Sequence, residues 1–482
     1  MIRDSHTAAL RVHDARAVGR AHLIGIAGAG MRSLADLLRG AGWTISGSDL
    51  HPVDHERDRL PDAFRVAAGH AAANLDPCTD LVVYSDAIPP DNVELSRARE
   101  LGLSIVSYPQ MLGRLMKPRT GLAIAGTHGK STTAALAARV LVHAGFDPSY
   151  VIGATGIDGS SGGQCGHGDH CLIEACEYRE NFLQLAPQIA VLLPIEPDHF
   201  DYFRSPAQLE AAFARFAALV PRDGLILYAG ECPIARRIAS LLERRTESFG
   251  AGGDCDWRAE RVRSQRGRYR FQLMRQGKPC CDIELAVPGK HNVANATAAA
   301  ALAAHCGVPI SAIAEGLHSF RGLRRRLEMV GTADGIVLVD DYAHHPTEVT
   351  ASLATVREMF PGRRVWCVFQ PHQSSRTAAL LDEFARSLLV ADTIVVADIY
   401  RAREGEFRTG EVQAVDLARR CRELGGGEFA PDVLQVHAIR DIQDVLQKEI
   451  KPLDVLVTLG AGDIGKIAHE FDQRVRENRQ AG

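Results

Sequence analysis

The run Gly126-Thr127-His128-Gly129-Lys130-Ser131-Thr132-Thr133 carries the groups of a phosphate-handling loop. It follows the apolar segment Leu122 to Ala125 and opens an alanine-rich helical pattern reaching about His143. In a strand–turn–helix of this kind, backbone N–H groups and a helix N-terminus point at one spot, which suits phosphate. Lys130 can reach terminal phosphates, and the Ser131 hydroxyl can ligate Mg²⁺. The first glycine of G-x-x-x-x-G-K-[ST] would fall at position 124, which is Ile124, so the loop is a compact form. Two acid-rich strand ends follow it, Glu174-Ala175-Cys176-Glu177 and Glu196-Pro197-Asp198-His199. Ligands of parallel sheets bind beyond the carboxyl ends of the strands, where such groups could hold Mg²⁺. Further on stands Asp340-Asp341-Tyr342-Ala343-His344-His345-Pro346. Two acids and two histidines are costly to bury without partners and should line a cleft.

Three blocks of alternating strand and helix patterns must position these groups, which predicts parallel sheets. The first has strands at His22 to Ile26, Trp43 to Ser46, Leu81 to Ser85 and Ser104 to Ser107, with a helix over Met31 to Arg39. Its turn holds Gly28 and Gly30, with Asp49 where a ribose-binding acid would sit, but Ser33 replaces the third glycine of a dinucleotide fingerprint. A nicotinamide-dependent oxidoreductase would explain these three residues and leave positions 126–133 without a task. The second block contains the phosphate loop, strands near Cys171 to Ala175, Ile189 to Leu193 and Gly224 to Tyr228, a β-like stretch Trp257 to Val287, and a helix from about Val293 to His305. After the basic segment Phe320 to Arg326, the third has strands at Ile336 to Val339, Arg364 to Phe369, Thr393 to Asp398 and Val455 to Leu459. Glycine concentrates over Ser160 to Gly168, which reads as a mobile loop. Cys165, His167, His170 and Cys171 do not have the spacing of known zinc modules.

A chain of 482 residues exceeds what one core supports, which predicts about three domains. The expected boundaries are 1–117, 118–322 and 323–482. The fold class is α/β: a Rossmann-like N-terminal domain, a central P-loop ATPase-type domain and a Rossmann-like C-terminal domain with a parallel sheet. A net charge of −4 favours neither a nucleic-acid nor a membrane partner. Eleven cysteines without a regular framework fit reduced thiols. Met1 to Arg20 is polar, with no apolar signal-peptide core, and a cytoplasmic enzyme, monomer or homodimer, is expected.

In ten ordered segments the chain resembles the Mur ligases, from roughly His22 to Ile467. The segments are HLIGIAGAGM (22–31), GSDL (47–50), Gly69-His70 with Asn74, VVYSDAIPPDN (82–92), GTHGKSTT (126–133), IEPDHFD (195–201), GKHNVANA (289–296), VDDYAHHPTEV (339–349), FQPH (369–372) with Arg376, and GAGDI (460–464). The resemblance implies an ATP- and Mg²⁺-dependent ligase joining L-alanine to the carboxylate of UDP-N-acetylmuramate through an acyl phosphate. The first domain would hold the sugar nucleotide, with Gly28, Ala29, Gly30, Met31, Ser48, Asp49, His70 and Ser85. The nucleotide would meet Gly126, Thr127, His128, Gly129, Lys130, Ser131 and Thr132, with His291 and Asn295 by the adenine and Arg326 and Asp341 reaching it from the third domain. Ser131, Glu177 and His199 would hold metal. Lys130, His199, His345 and Arg376 would be catalytic, the last two near the amino acid.

Departures from the family pattern fall close to the chemistry. Where it usually reads E-A-D-E-S-D, Cys176 and Arg179 each remove an acid. Pro194 stands for an asparagine, and Gln373 for an arginine. Losing that arginine gives up a charge-assisted contact with a carboxylate, which bears on the choice of amine more than on ligation. The alternatives are a ligase of the same fold for another amino acid or a recycled peptide, and a non-catalytic relative binding UDP-sugar or ATP. Lys130→Ala is expected to lower turnover by ~10²-fold or more, as for loss of one preorganised charge-stabilising donor, and a phosphate-release assay checks it.

Overall fold

In the computed structural model, residues 19–50, 64–402, 404–405, 409–427 and 430–481 are described, with side chains up to 474. The polar stretch before position 19 lies outside them. The strands of these residues form three sheets.

The first sheet is all parallel, in the spatial order Arg65–Ala68, Thr44–Asp49, Arg20–Ile24, Leu81–Tyr84, Ser104–Ser107. Chain connections leave the central strand Arg20–Ile24 in opposite directions, which opens a crevice at its carboxyl end. The glycine turn and the helix Ala29–Gly40 begin there.

The second sheet is built on a parallel core: Arg245–Gly250, Leu225–Ala229, Ile189–Leu192, Thr120–Ala125, His170–Glu174, Ser149–Val151. The β-like stretch is an antiparallel meander, Trp257–Gln265, Arg268–Arg275 and Lys278–Pro288, attached at the edge. The strand ahead of the phosphate loop pairs with Ile189–Leu192 on one side and His170–Glu174 on the other. That pairing is why the two acid-rich strand ends flank the loop.

The third sheet runs Glu328–Ala333, Ile336–Asp341, Val455–Leu459, Val365–Phe369, Thr393–Ala397, Asp432–Val436. It departs from the expected parallel sheet in its first strand, which is antiparallel. Glu328–Ala333, Asp432–Val436, Arg65–Ala68, Gly163–Gln164, Ser149–Val151 and Arg245–Gly250 were not legible as strands. The first four lie at sheet edges, where one side meets no neighbour and apolar alternation is weak. The other two are interior, one only three residues long and the other opening on the polar run Arg245-Thr246-Glu247-Ser248.

Apolar burial divides the chain unevenly. One continuous cluster runs from Ala21 to Leu323 through the first two sheets and their helices. The third sheet has its own clusters on its two faces. Among the described residues, no helix is long and apolar enough to cross a membrane.

The expectation of a mobile loop at Ser160 to Gly168 is overturned. Gly163–Gln164 is a short strand paired with Ser149–Val151, and the segment is clamped against the first domain's helix. Ser33, in place of the fingerprint glycine, donates its hydroxyl to the Ile152 carbonyl at 2.6 Å. Ser161 donates to Asp36. A Cβ at Gly163 would stand 1.7 Å from the Ser33 carbonyl oxygen, and one at Gly162 2.4 Å from the Ser33 hydroxyl. These glycines allow close approach of two backbones rather than motion. Gly163→Ala is therefore expected to destabilise the protein by about 1–3 kcal/mol through overpacking, measured by denaturant unfolding; unchanged stability would contradict the clamp.

Candidate active site

The phosphate loop owes its shape to two glycines. Gly126 has φ +147° and Gly129, which caps the helix Lys130–His143, has φ +79°. A Cβ on Gly129 would meet Asn295 Oδ1 at 2.5 Å, so the loop lies directly on the helix His291–His305. Pro194 takes part through its backbone, accepting from the Thr127 N–H at 2.9 Å. The Thr127 hydroxyl lies 2.9 Å from both the N–H and the carbonyl of Glu196.

Lys130 Nζ turns back onto Glu177, 2.9 Å from Oε2 and 3.0 Å from Oε1, and donates to the Thr127 carbonyl at 3.2 Å. Burial alone would lower the ammonium's pKa and raise the carboxyl's. Their mutual attraction outweighs it: Lys130 moves up and Glu177 down, and both stay charged. His199 Nε2 lies 3.6 Å from Glu177 Oε1, held there by a left-handed backbone at φ +54°. Ser131 donates to Glu174 Oε1 at 2.8 Å. Glu174 was noted at the strand end but not placed among the expected ligands. Its register beside Ile124 brings it to the loop. Glu177 Oε2 is buried, with the Lys130 ammonium as its close neighbour. Two carboxylates, a hydroxyl and an imidazole around such an oxygen fit Mg²⁺, a hard cation that prefers oxygen ligands.

Beside the loop opens a cavity of about 430 Å³. His128, Gly129, Thr132, His291, Asn295, Arg326 and Asp341 line it, so it brings together expected nucleotide residues of two domains, while Gly126, Thr127, Lys130 and Ser131 of the same expected set lie outside its lining. Phe249, Val287 and Phe320 supply apolar wall suited to a base. Burial lowers His291 to about 4, which keeps the imidazole neutral. Burial raises Asp341 to about 6, although the Ser352 hydroxyl donates to it at 2.6 Å.

The third domain meets the loop through polar contacts. His128 stands between Glu348 Oε1 at 3.1 Å and Glu196 Oε2 at 3.3 Å. Burial opposes its charge, but bonds to both carboxylates raise it to about 9. Glu348 was not anticipated; its one signal is its place three residues after His345, which caps the helix Pro346–Met359. His345 uses both ring nitrogens: Nδ1 accepts from Thr347 N–H and Nε2 bonds the Pro197 carbonyl, each at 3.3 Å. His344 commits only Nδ1, to the Tyr342 carbonyl at 3.0 Å, and burial lowers it to about 4. Arg376 donates from Nε to Asp198 Oδ1 at 2.7 Å, and both are buried. Burial would raise the Asp198 carboxyl, yet the Arg376 cation holds it well below the usual range. Gln373 sits in the turn before the helix Ser374–Ala379 at φ +71°.

In the first domain, Asp49 Oδ2 accepts from Ala27 N–H at 3.0 Å, which fixes the glycine turn. Gly28, Ala29 and Gly30 lie on that turn and the helix start, while Met31 is buried in the core. Ser48 donates to the fully buried Glu94 at 2.6 Å and bonds His70 at 2.9 Å, so Glu94 organises two of the expected substrate residues. Ser85 follows the strand Leu81–Tyr84, next to Asp86. Arg179 donates to the Asp86 carbonyl at 3.3 Å, and Asn181 reaches its carboxylate.

His128 makes stability depend on pH. Its folded value, about 9, exceeds its ordinary 6.5. The contribution is therefore complete below about pH 6.5 and lost as pH rises through about 9, at most about 3 kcal/mol. Urea unfolding across that window should show wild type losing more stability than His128→Gln; parallel curves would refute the assignment.

Family comparisons follow the three sheets. The Mur ligase family catalytic domain matches residues 20–120, the Mur ligase middle domain 124–303, and the Mur ligase glutamate ligase domain 325–462. A UDP-N-acetylmuramate–L-alanine ligase of Clostridium novyi is 37% identical over 94% of this chain and 97% of its own length. One of Acidithiobacillus ferrooxidans is 39% identical over 95% and 98%. The crystal structure of a UDP-N-acetylmuramate-alanine ligase of Thermotoga maritima superposes with a TM-score of 0.79 at 25% identity, covering 95% of this chain and all of the other. A murein peptide ligase of Psychrobacter arcticus shares the fold, with a TM-score of 0.70 at 24% identity over 95% and 98%. Three matched domains in order, and near full-length identity at this level, establish that the chain belongs to the Mur ligase family.

Proposed function

We propose that this protein joins L-alanine to the carboxylate of UDP-N-acetylmuramate at the expense of ATP, in the cytoplasm, as a step of peptidoglycan precursor synthesis. One observation carries the reading: the loop cation Lys130 and the buried carboxylate Glu177 lie at a domain interface whose far side presents His344 and Arg376. The named activity of relatives at 37–39% identity supports it. The division into 1–117 for the sugar nucleotide, 118–322 for ATP and 323–482 for the amino acid belongs to the same proposal.

A carboxylate does not condense with an amine at neutral pH, so it must first become an acyl phosphate by taking the γ-phosphoryl group. This chain's part is positioning and charge neutralisation. Gly126 to Thr132 and the N-terminus of the helix Lys130–His143 cradle phosphate. Lys130 leaves its resting carbonyl contacts to meet the transferred group. Ser131, Glu174, Glu177 and His199 would hold Mg²⁺, which when bound neutralises phosphate charge. The slot of Phe249, Val287 and Phe320 takes the base beside His291 and Asn295. Gly28 to Met31 lie by the sugar nucleotide's diphosphate, with Asp49 nearby bracing the turn through Ala27 N–H.

The amine must attack unprotonated. His344 is better suited to receive its proton than His345, because His344 keeps a free ring nitrogen whereas both of those on His345 are engaged. Burial keeps His344 neutral and so available as an acceptor, although a weak base. Arg376 binds the amino-acid carboxylate, with Gln373 contributing no charge there.

With ATP, Mg²⁺, UDP-N-acetylmuramate and L-alanine, purified protein should release phosphate well above a no-amine control. No amine-dependent release across a panel of amino acids and the recycled tripeptide would rule out the ligase reading. His344→Gln should lower kcat by roughly 10²-fold or more, within the range of general-base contributions, and more than His345→Gln does.

A further inference from the structure

We propose that Asp198 is a positioning residue for the incoming amino acid: from the central domain it orients Arg376 of the third domain so that the guanidinium meets the amino-acid carboxylate. This rests on the ligase reading above.

The geometry around Arg376 is specific. Its side chain is 2% exposed, and a buried guanidinium without a counter-charge would be strongly unfavourable. Asp198 supplies that charge through a single contact, Oδ1 to Nε at 2.7 Å, not a two-point fork. Nη1 is taken by His372, 3.1 Å from its carbonyl oxygen and 2.9 Å from Nδ1. Nη2 has no partner among the described residues. Acceptors from two domains thus fix the plane of the group and leave one terminal nitrogen to donate. A planar cation held this way is suited to a carboxylate, whose oxygens take donors in the guanidinium plane.

Asp198 has a second tie. The same Oδ1 accepts from the N–H of His199 at 2.7 Å. That residue's strained backbone, φ +54°, directs its ring to Glu177. One dipeptide therefore reaches Arg376 on the amine side and Glu177 on the phosphate side. Strain of this kind persists only where surrounding contacts enforce it. Gln373 sharpens the dependence: Arg376 is the one arginine of the helix Ser374–Ala379 and its cap, so its orientation is not shared with a second cation.

A counter-ion that only stabilises the fold would, when removed, lower thermal stability and disturb all substrates alike. A positioning residue separates them. Asp198→Asn, which keeps shape and removes charge, should raise KM for L-alanine roughly ten- to a hundredfold, the range of a lost charge-assisted contact. KM for ATP and for UDP-N-acetylmuramate should stay within about twofold. In an Arg376→Lys background, where the oriented fork is gone, the same change should add less than about twofold. Asp198→Glu keeps the charge and serves as the folded comparison; its KM for alanine should lie closer to wild type than that of the asparagine variant. An unchanged alanine KM in Asp198→Asn, an equal rise for all three substrates, or full additivity with Arg376→Lys would each overturn the proposal. Failure of the ligase reading is distinguishable, since wild type itself would then show no alanine-dependent phosphate release.

Discussion

The ion pair between Lys130 and Glu177 is the constraint around which the site is arranged. The carboxylate is 1% exposed and the ammonium 15%, at 2.9 Å. Neither could stay charged there alone, since desolvating an isolated ion costs far more than one contact returns. Keeping the ammonium at the end of a parallel sheet therefore demands an acid from the neighbouring strand end. The order of strands supplies it: the loop's strand lies between the two that end in Glu174 and near Glu196. Ser131, His199 and the buried Glu177 carboxylate then follow as a cluster of ligand groups suited to a cation beside phosphate.

The three domains are joined by different physics. The first two share a continuous apolar core, reinforced by Ser33, Ser161 and glycines that admit no side chain. The third keeps separate cores and reaches the others through charge: His128 with Glu348, Thr347 with Glu196, and Arg376 with Asp198. Water can replace polar contacts of this kind at modest cost, whereas parting an apolar core exposes surface with nothing to take its place. The site proposed for the chemistry lies at the joint that can be re-solvated, an arrangement that would let substrates enter and water afterwards be excluded.

The nucleotide loop was legible because glycine, lysine and hydroxyl side chains act there through their immediate backbone, which local spacing reports. Most of the long apolar strands were legible because an unbroken apolar run reports burial directly, but the interior strand Arg245–Gly250, with its polar Arg245-Thr246-Glu247-Ser248 start, was not. Edge strands such as Arg65–Ala68 and Asp432–Val436 were not, because one side of each faces no partner. The glycine cluster near Gly163 misled: sequence alone does not distinguish a glycine needed for freedom from one needed for contact. Within the site, the histidine pair was visible but the division of labour was not. His344 and His345 are adjacent, and only their partners set them apart.

Sequence by itself determined the phosphate loop, the three-block α/β order and the family, because these depend on neighbours a few residues apart and on motifs in fixed succession. Tertiary structure alone decided that Glu94 organises Ser48 and His70, that Glu196 and Glu348 together charge His128, and that Asp198 holds Arg376 across a domain boundary. Those pairings join positions 22 to 220 residues apart. They are enforced because a buried charge or polar group left without its partner is strongly unfavourable, a property of the folded interior that no local spacing encodes.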